Sequence, residues 1–197
     1  MMIEELNTRL FTDINAAANL HGYQLWLALF AAKYLVFVIV LMMLVVWLKG
    51  SAEQRSTLLL AFIATVISLL INGLIGHIWY HPRPFVLGIG HTYLAHAPTS
   101  SFPSDHATAL CTLSLIFIWK NNIRLLVLLL PISTLIVAWA RVYIGVHFPF
   151  DMVGALIVSI FSAALVTKLS FLIERYLSPI AEAIYIKLFA KIFQRQE

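Results

Sequence analysis

Long apolar runs separated by short polar clusters make up most of this chain. Five of the runs approach the length a helix needs to cross a bilayer core, about 20 residues for about 30 Å. They cover residues 25–48, 57–79, 105–119, 123–140 and 151–173. The third and fourth are short, and only the polar KNNIR of residues 120–124 separates them, which predicts a tight hairpin between antiparallel helices. The pattern changes at both ends. Ile3, Leu6, Leu10, Phe11 and Ile14 recur at helical spacing, and Ile180, Ile184, Leu188 and Ile192 do the same among lysines. Both stretches predict amphipathic helices lying in a membrane interface. The expected fold is all-α, a polytopic transmembrane helical bundle of about five spans with amphipathic interfacial helices at the termini.

Composition agrees with this pattern. The 197 residues are 61% hydrophobic and 11% charged, far greasier than an ordinary soluble domain. A net charge of +4 invites a nucleic-acid reading, but the basic residues are scattered between apolar runs instead of gathered in one stripe. Their distribution is topological. With five spans, Lys49, Arg55, Lys120, Arg124, Lys168, Arg175, Lys187, Lys191 and Arg195 fall on one side, and Arg9, Arg83 and Arg141 on the other. Positive charge marks the cytoplasmic side, so the N-terminus is expected outside and the C-terminus inside. Trp26, Trp47, Trp79, Trp119 and Trp139 all fall near expected span ends, where the indole ring suits the membrane–water boundary. The first 24 residues lack the basic start and small-residue cleavage site of a secretory signal. With no repeat or linker, one domain spanning residues 1–197 is expected: an outer interfacial segment 1–24, a bundle 25–173 and a cytoplasmic amphipathic tail 174–197. Within it, Lys33 reads as a snorkelling side chain, Asn72 as a helix-to-helix hydrogen bond and the single Cys111 as a buried inert thiol. No pattern assigns an oligomeric state.

The chemistry gathers on the expected outer face. The loop 80–104 starts with HPRPF and runs into FPSDH, and a third outer stretch reads RVYIGVHFPFD over residues 141–151. These place Arg83, Ser104, His106, Arg141, His147 and Asp151 at one membrane surface. Two arginines in an otherwise cation-poor face suit phosphate oxygens, which a guanidinium fork binds in pairs. Ser104 follows Pro103 and opens a helix, so it is expected to cap that helix while its hydroxyl and the first free N–H groups face an anion. His147 precedes Phe148-Pro149 and belongs in a turn. Asp151 can then bind one imidazole nitrogen and leave the other free to attack phosphorus. His106, two residues after the cap, is expected to donate the proton that the departing oxygen needs.

These residues resemble the type-2 phosphatidic acid phosphatase superfamily. Its pattern has a lysine six residues ahead of an Arg-Pro pair, a Pro-Ser-Gly-His block, and a Ser-Arg block followed at fixed spacing by histidine and aspartate. Arg83-Pro84, Pro103-Ser104-Asp105-His106, and Arg141 with His147 and Asp151 match it over about residues 57–173. The resemblance implies a metal-independent phosphatase without cofactor. His147 would be the nucleophile forming a phosphohistidine, Asp151 its orienter, His106 the acid, and Arg83, Ser104 and Arg141 the phosphate cradle. Three positions depart from the pattern. Gly76 stands where the lysine would fall, Asp105 replaces the glycine and Ala140 the serine. His77 and His81 are candidates to stand in for the lysine, and Asp105 is expected to point away from the phosphate or pair with a cation.

Within the superfamily the chain is similar to the bacterial undecaprenyl-diphosphatase branch associated with bacitracin resistance. That implies a multi-pass protein of the bacterial cytoplasmic membrane, acting from its outer face on a lipid pyrophosphate in cell-wall biosynthesis. Phosphatidic acid, phosphatidylglycerol phosphate or a phosphotransfer reaction are the alternative chemistries. A metal site built from His77, His81, His91 and His96 lacks tight ligand spacing. A serine protease dyad lacks a Gly-x-Ser-x-Gly elbow, and a transporter or lipid-binding scaffold would carry its polar residues near the bilayer midplane.

Overall fold

The computed structural model describes residues 2–190, all helix, turn and loop with no strand among them. The expectations for Lys191, Ile192 and Arg195 fall outside the described residues. Four helical stretches are long and apolar enough to cross a membrane: Gly22–Lys49, Ala52–Ile78, Arg124–Tyr143 and Pro149–Phe189. The fifth expected span is the helix Asp105–Lys120. At 16 residues it rises about 24 Å, short of a full hydrocarbon core, yet it is the centre of the bundle. Labelled in order, the helices are α1 (Met2–Ile14), α2 (Gly22–Leu29), α3 (Leu35–Lys49), α4 (Ala52–Ile78), α5 (Asp105–Lys120), α6 (Arg124–Tyr143), α7 (Pro149–Leu172) and α8 (Ser178–Tyr185).

Helix α5 packs against α4, α6 and α7. Leu110, Ile116 and Phe117 of α5 interlock with Leu60, Leu130, Val137 and Val166, all fully buried. Outward positions such as Phe37, Leu41, Phe62, Leu70, Leu135 and Phe161 remain exposed, as a lipid-facing surface requires. The polar ends follow ordinary capping chemistry. Ser51 and Gln54 form a reciprocal capping box at the start of α4, and Asn121 adopts φ 49° to end α5, a left-handed conformation that asparagine tolerates. Asn122 in this turn donates to Thr57 Oγ1 at 2.8 Å, so the expected KNNIR hairpin is tied to α4. Asn72 donates to Thr108 Oγ1 at 3.0 Å, the interhelical bond expected of it.

Both terminal helices do more than lie on a surface. Helix α1 keeps Ile3 and Leu6 exposed but buries Asn7 and Phe11 against the loops at one end of the bundle. At the opposite end the chain does not break after α7. A π-helical turn, Ile173–Leu177, carries it into α8, which docks on the start of α4. Arg55 reaches Glu182 through two N–H···O bonds of 2.7 and 2.6 Å and lies 3.7 Å over the Tyr185 ring. The tail is therefore held by a bidentate ion pair and a cation–π contact, in addition to its amphipathic face.

Two glycines set the shape of the site end. Gly145 has φ +84°, and a Cβ there would fall 2.1 Å from the His91 carbonyl oxygen, so no side chain fits. Gly154 on α7 faces the Phe102 ring, which a Cβ would meet at 2.3 Å. Gly154→Ala is therefore expected to destabilise the protein by about 1–3 kcal/mol through overpacking. Thermal unfolding of the purified variant checks this, and combining it with Phe102→Leu should recover part of the loss.

Candidate active site

Three stretches converge where α1, α2, α5, α6 and α7 meet. The first is the loop 80–104. Its Arg83 is 4% exposed and spends its guanidinium as a cross-link: Nε donates to Thr99 O at 3.1 Å, Nη2 to Ser100 O at 3.0 Å, and Nη1 to Val146 O at 3.0 Å. The same Nη1 lies 3.1 Å from His147 Nε2. Burial pulls the Arg83 guanidinium below its ordinary pKa, opposed by Asp151 and Asp105, and it stays a cation. The second stretch is the end of α6. Arg141, equally buried, reaches His147 Nε2 with Nη2 at 3.4 Å and donates from Nη1 to Ala32 O at 3.3 Å.

The Ala32 contact explains an oddity in the first span. Phe30–Tyr34 is a π-helical turn, with Leu35 N–H bonding back to Phe30 O. The widened turn relaxes the usual i→i−4 ladder, and a carbonyl within it accepts from Arg141. Ala28, Ala31, Ala32 and Ala140 form the small-residue contact that lets the helices approach. Lys33 in the same turn is exposed, its Nζ 5.1 Å above the Tyr34 ring, directed away from this contact.

His147 is the centre of the third stretch. It sits in the turn before α7, as Phe148-Pro149 demanded, and is 1% exposed. Its Nδ1 lies 3.0 Å from Asp151 Oδ2, and that oxygen also accepts from Phe148 N–H at 2.8 Å. Only one tautomer satisfies these partners: Nδ1–H donates to the carboxylate, and Nε2 presents its lone pair to the two arginines. Burial lowers the His147 pKa to about 4, outweighing Asp151, which raises it; Arg141 and Arg83 lower it further. The imidazole is neutral at pH 7.

The remaining expected residues have distinct places. Ser104 occupies the N-cap position of α5 but makes no side-chain cap bond. Its backbone N–H donates to Asp151 O at 3.3 Å, and its buried Oγ has no partner among the described residues. The side-chain cap expected of it is absent. Arg141 Nε is likewise buried and unpartnered. His106 begins α5 within the field of Arg141, His96 and Arg83. Asp105 is exposed, with Asn72 Nδ2 donating to its Oδ1 at 2.9 Å. The candidates for the missing lysine do not fill its place. His77 is exposed, and His81 lies 3.5 Å from Glu4 with its ring packed on Phe148. The imidazole found beside His147 is that of His96, with ring centroids 6.4 Å apart.

Two contributors had no signal in the chain. Ser101, fully buried, donates its hydroxyl to Asp151 Oδ2. It was one more serine in TSSFPSDH until the fold turned it inward. Helix α1 and the residue that follows it supply two asparagines. Asn7 Oδ1 accepts from Phe150 N–H at the start of α7, at 3.0 Å. Asn15 accepts from His91 N–H at 2.7 Å and donates to His91 O at 2.9 Å and Tyr143 O at 3.1 Å. The N-terminal helix thus clips the loop 80–104 to the 143–150 turn.

A groove of about 340 Å³ opens between α5, α6 and α7, lined by Ala107, Cys111, Pro131, Thr134, Ala155 and Leu156. Its upper residues Ala107 and Met152 adjoin His106 and Asp151 in the chain. Cys111 therefore lines an apolar wall, half-buried.

Comparisons with known proteins agree with this geometry. YbjG of Escherichia coli is 40% identical over 79% of this chain and 78% of its own length. The undecaprenyl-diphosphatase BcrC of Bacillus subtilis is 31% identical over 94% of this chain and 97% of its own. Among solved structures, Aquifex aeolicus LpxE superposes with a TM-score of 0.65 at 19% identity, covering 83% of this chain and 95% of that one. A PAP2-type phosphatidylglycerolphosphate phosphatase from Bacillus subtilis gives 0.62 at 16% identity, covering 89% of each. These two share the transmembrane helical fold. The PAP2 superfamily pattern matches residues 57–175, the stretch that contributes both arginines, both serines and the His147–Asp151 pair, and the chain belongs to that superfamily.

Proposed function

We propose that this protein is a membrane lipid-diphosphate phosphatase that hydrolyses undecaprenyl diphosphate to undecaprenyl phosphate and inorganic phosphate, without a metal ion or cofactor. The observation that carries the reading is His147 Nε2, a neutral lone pair held 3.1 and 3.4 Å from two guanidinium donors. A phosphate that enters there takes over the arginine N–H bonds and leaves the nitrogen facing phosphorus. The name borne by the Bacillus subtilis relative supplies the substrate class.

In the first step His147 Nε2 attacks the terminal phosphorus, forming an N–P bond as the bond to the bridging oxygen breaks. His106 gives that oxygen a proton, and undecaprenyl phosphate leaves. Asp151 accepts the Nδ1–H bond that strengthens as the ring gains positive charge. In the second step water, losing its proton to His106, attacks the phosphohistidine and restores Nε2. Arg83, Arg141, Ser104 Oγ and the first N–H groups of α5 meet the charge on the phosphoryl oxygens with fixed dipoles instead of reorganising water. The polyprenyl tail follows the groove between α5, α6 and α7 into the bilayer. The site faces the outer side of a bacterial cytoplasmic membrane, which puts the basic residues around α8 and the 120–124 turn in the cytoplasm.

Phosphate release by purified protein from undecaprenyl diphosphate and from phosphatidate, with chelator present, tests the reaction. His147→Ala is expected to abolish release and the acid-labile, base-stable phosphoenzyme together; unchanged turnover would remove the mechanism, and preference for phosphatidate would change the substrate. Histidine ¹⁵N NMR should find His147 as the neutral Nδ1–H tautomer at pH 6, titrating near pH 4. An ordinary histidine would already be mostly protonated there. Leu156→Trp, at an exposed position on the groove wall, is expected to raise KM for the long lipid by about tenfold while changing a short soluble diphosphate by less than about threefold, an effect of narrowing the path of the tail.

A further inference from the structure

Loss of the pattern's lysine leaves a charge problem that the rest of the site does not solve. Two guanidiniums, Arg83 and Arg141, face two carboxylates, Asp151 and Asp105, so these fixed charges cancel, and the proton that His106 carries is committed to the leaving oxygen. A diphosphate brings more than one negative charge into this space. Gly76, where the lysine would stand, lies against Ser100 and offers no cation. One additional side chain in the cluster can carry charge on demand. His96, on the 80–104 loop and half-buried, has its ring 6.4 Å from that of His147 at 75°. Its Nδ1 lies 2.9 Å from Ala97 O, and a carbonyl can only accept, so Nδ1 carries the hydrogen. Nε2 is left without a hydrogen-bond partner among the described residues. The charged and titratable groups facing it are Arg83, Arg141, Asp105, His106 and His147.

We infer that His96 forms a second-phosphate subsite, binding the lipid-side phosphate of a diphosphate through Nε2–H while the terminal phosphate sits between Arg83 and Arg141 against His147. This rests on the phosphatase reading above and gives it a basis for preferring diphosphates. In the free protein, burial and the two arginines hold the His96 pKa below its ordinary value. A dianionic phosphate reverses that balance, so the ring takes up a proton as the substrate arrives. Both ring N–H groups are then used, one on Ala97 O and one on the phosphate. A lipid monophosphate has no second phosphate to reach this position and gains nothing from it.

The test compares a short-chain polyprenyl diphosphate with the monophosphate of the same tail, using purified full-length protein in detergent. His96→Asn keeps a donor for Ala97 O but cannot become a cation. It is expected to lower the diphosphate-to-monophosphate ratio of kcat/KM by about tenfold or more, the effect of one lost charge-assisted hydrogen bond. The loss should fall mainly in KM, and His96→Lys should restore most of the ratio. Equal losses on both substrates, or an unchanged ratio in His96→Asn, would overturn the subsite while leaving the phosphatase reading intact. A wild-type protein inactive on both substrates would remove that reading and the subsite with it.

Discussion

A proton on His147 would have to sit, nearly out of reach of water, against two guanidinium groups. That one electrostatic conflict organises the site. It keeps the ring neutral, and with Asp151 occupying Nδ1 it keeps the lone pair on Nε2. The two cations that repel a proton also form the place where an anion is welcome. In the proposed reaction the incoming phosphoryl group therefore finds a nucleophile that burial keeps unprotonated, with the phosphate's own binding partners adding to that effect. Binding and activation of the nucleophile thus reinforce each other.

Holding two like charges together in a buried place is costly, and much of the surrounding structure offsets that cost with directed acceptors. Arg83 has the carbonyls of Thr99, Ser100 and Val146, and Arg141 has that of Ala32. Arg83 is anchored through all three nitrogens and turns only one Nη1–H toward His147 Nε2, whereas Arg141 is anchored through Nη1 and keeps Nη2 and Nε for the ligand. The carboxylate is similarly divided. Asp151 Oδ2 receives Ser101, His147 and Phe148, which fixes its rotamer before it acts on the imidazole. Asn7 of α1 and Asn15 just after it then tie together the loops that carry these groups.

The helical bundle was legible because a bilayer imposes a simple rule on length and polarity, and each expected span overlaps a helix. The helix at 105–119 could be placed but its central position could not, since apolar runs facing lipid and facing protein look alike. The motif spacing placed Arg141, His147 and Asp151 together, for spacing along a turn and a following helix converts directly into geometry, and the span map put Arg83 at the same face. Ser101 and His96 were opaque. They lie in a loop whose path is set by contacts from distant residues, with no periodicity to reveal which side chains turn inward. The role of α1 was hidden for a related reason: its apolar stripe predicted a surface to be buried, and an amphipathic stripe cannot say whether lipid or protein covers it. Ser104 shows the converse limit, where the right position at a helix start did not mean the expected hydrogen bond.

The widened turn at Phe30–Tyr34 ties catalysis to the register of the first membrane span. A π turn accommodates one residue more than the α-helical path around it. Removing one residue would let the span wind regularly, but it would rotate every later side chain of that helix by about 100° and take away the carbonyl that steadies Arg141. The odd residue in this turn is thus a phase marker: it keeps the lipid-facing stripe of α3 and the grip on Arg141 in step, so the length of a helix that contributes no reacting group is nonetheless constrained by the chemistry.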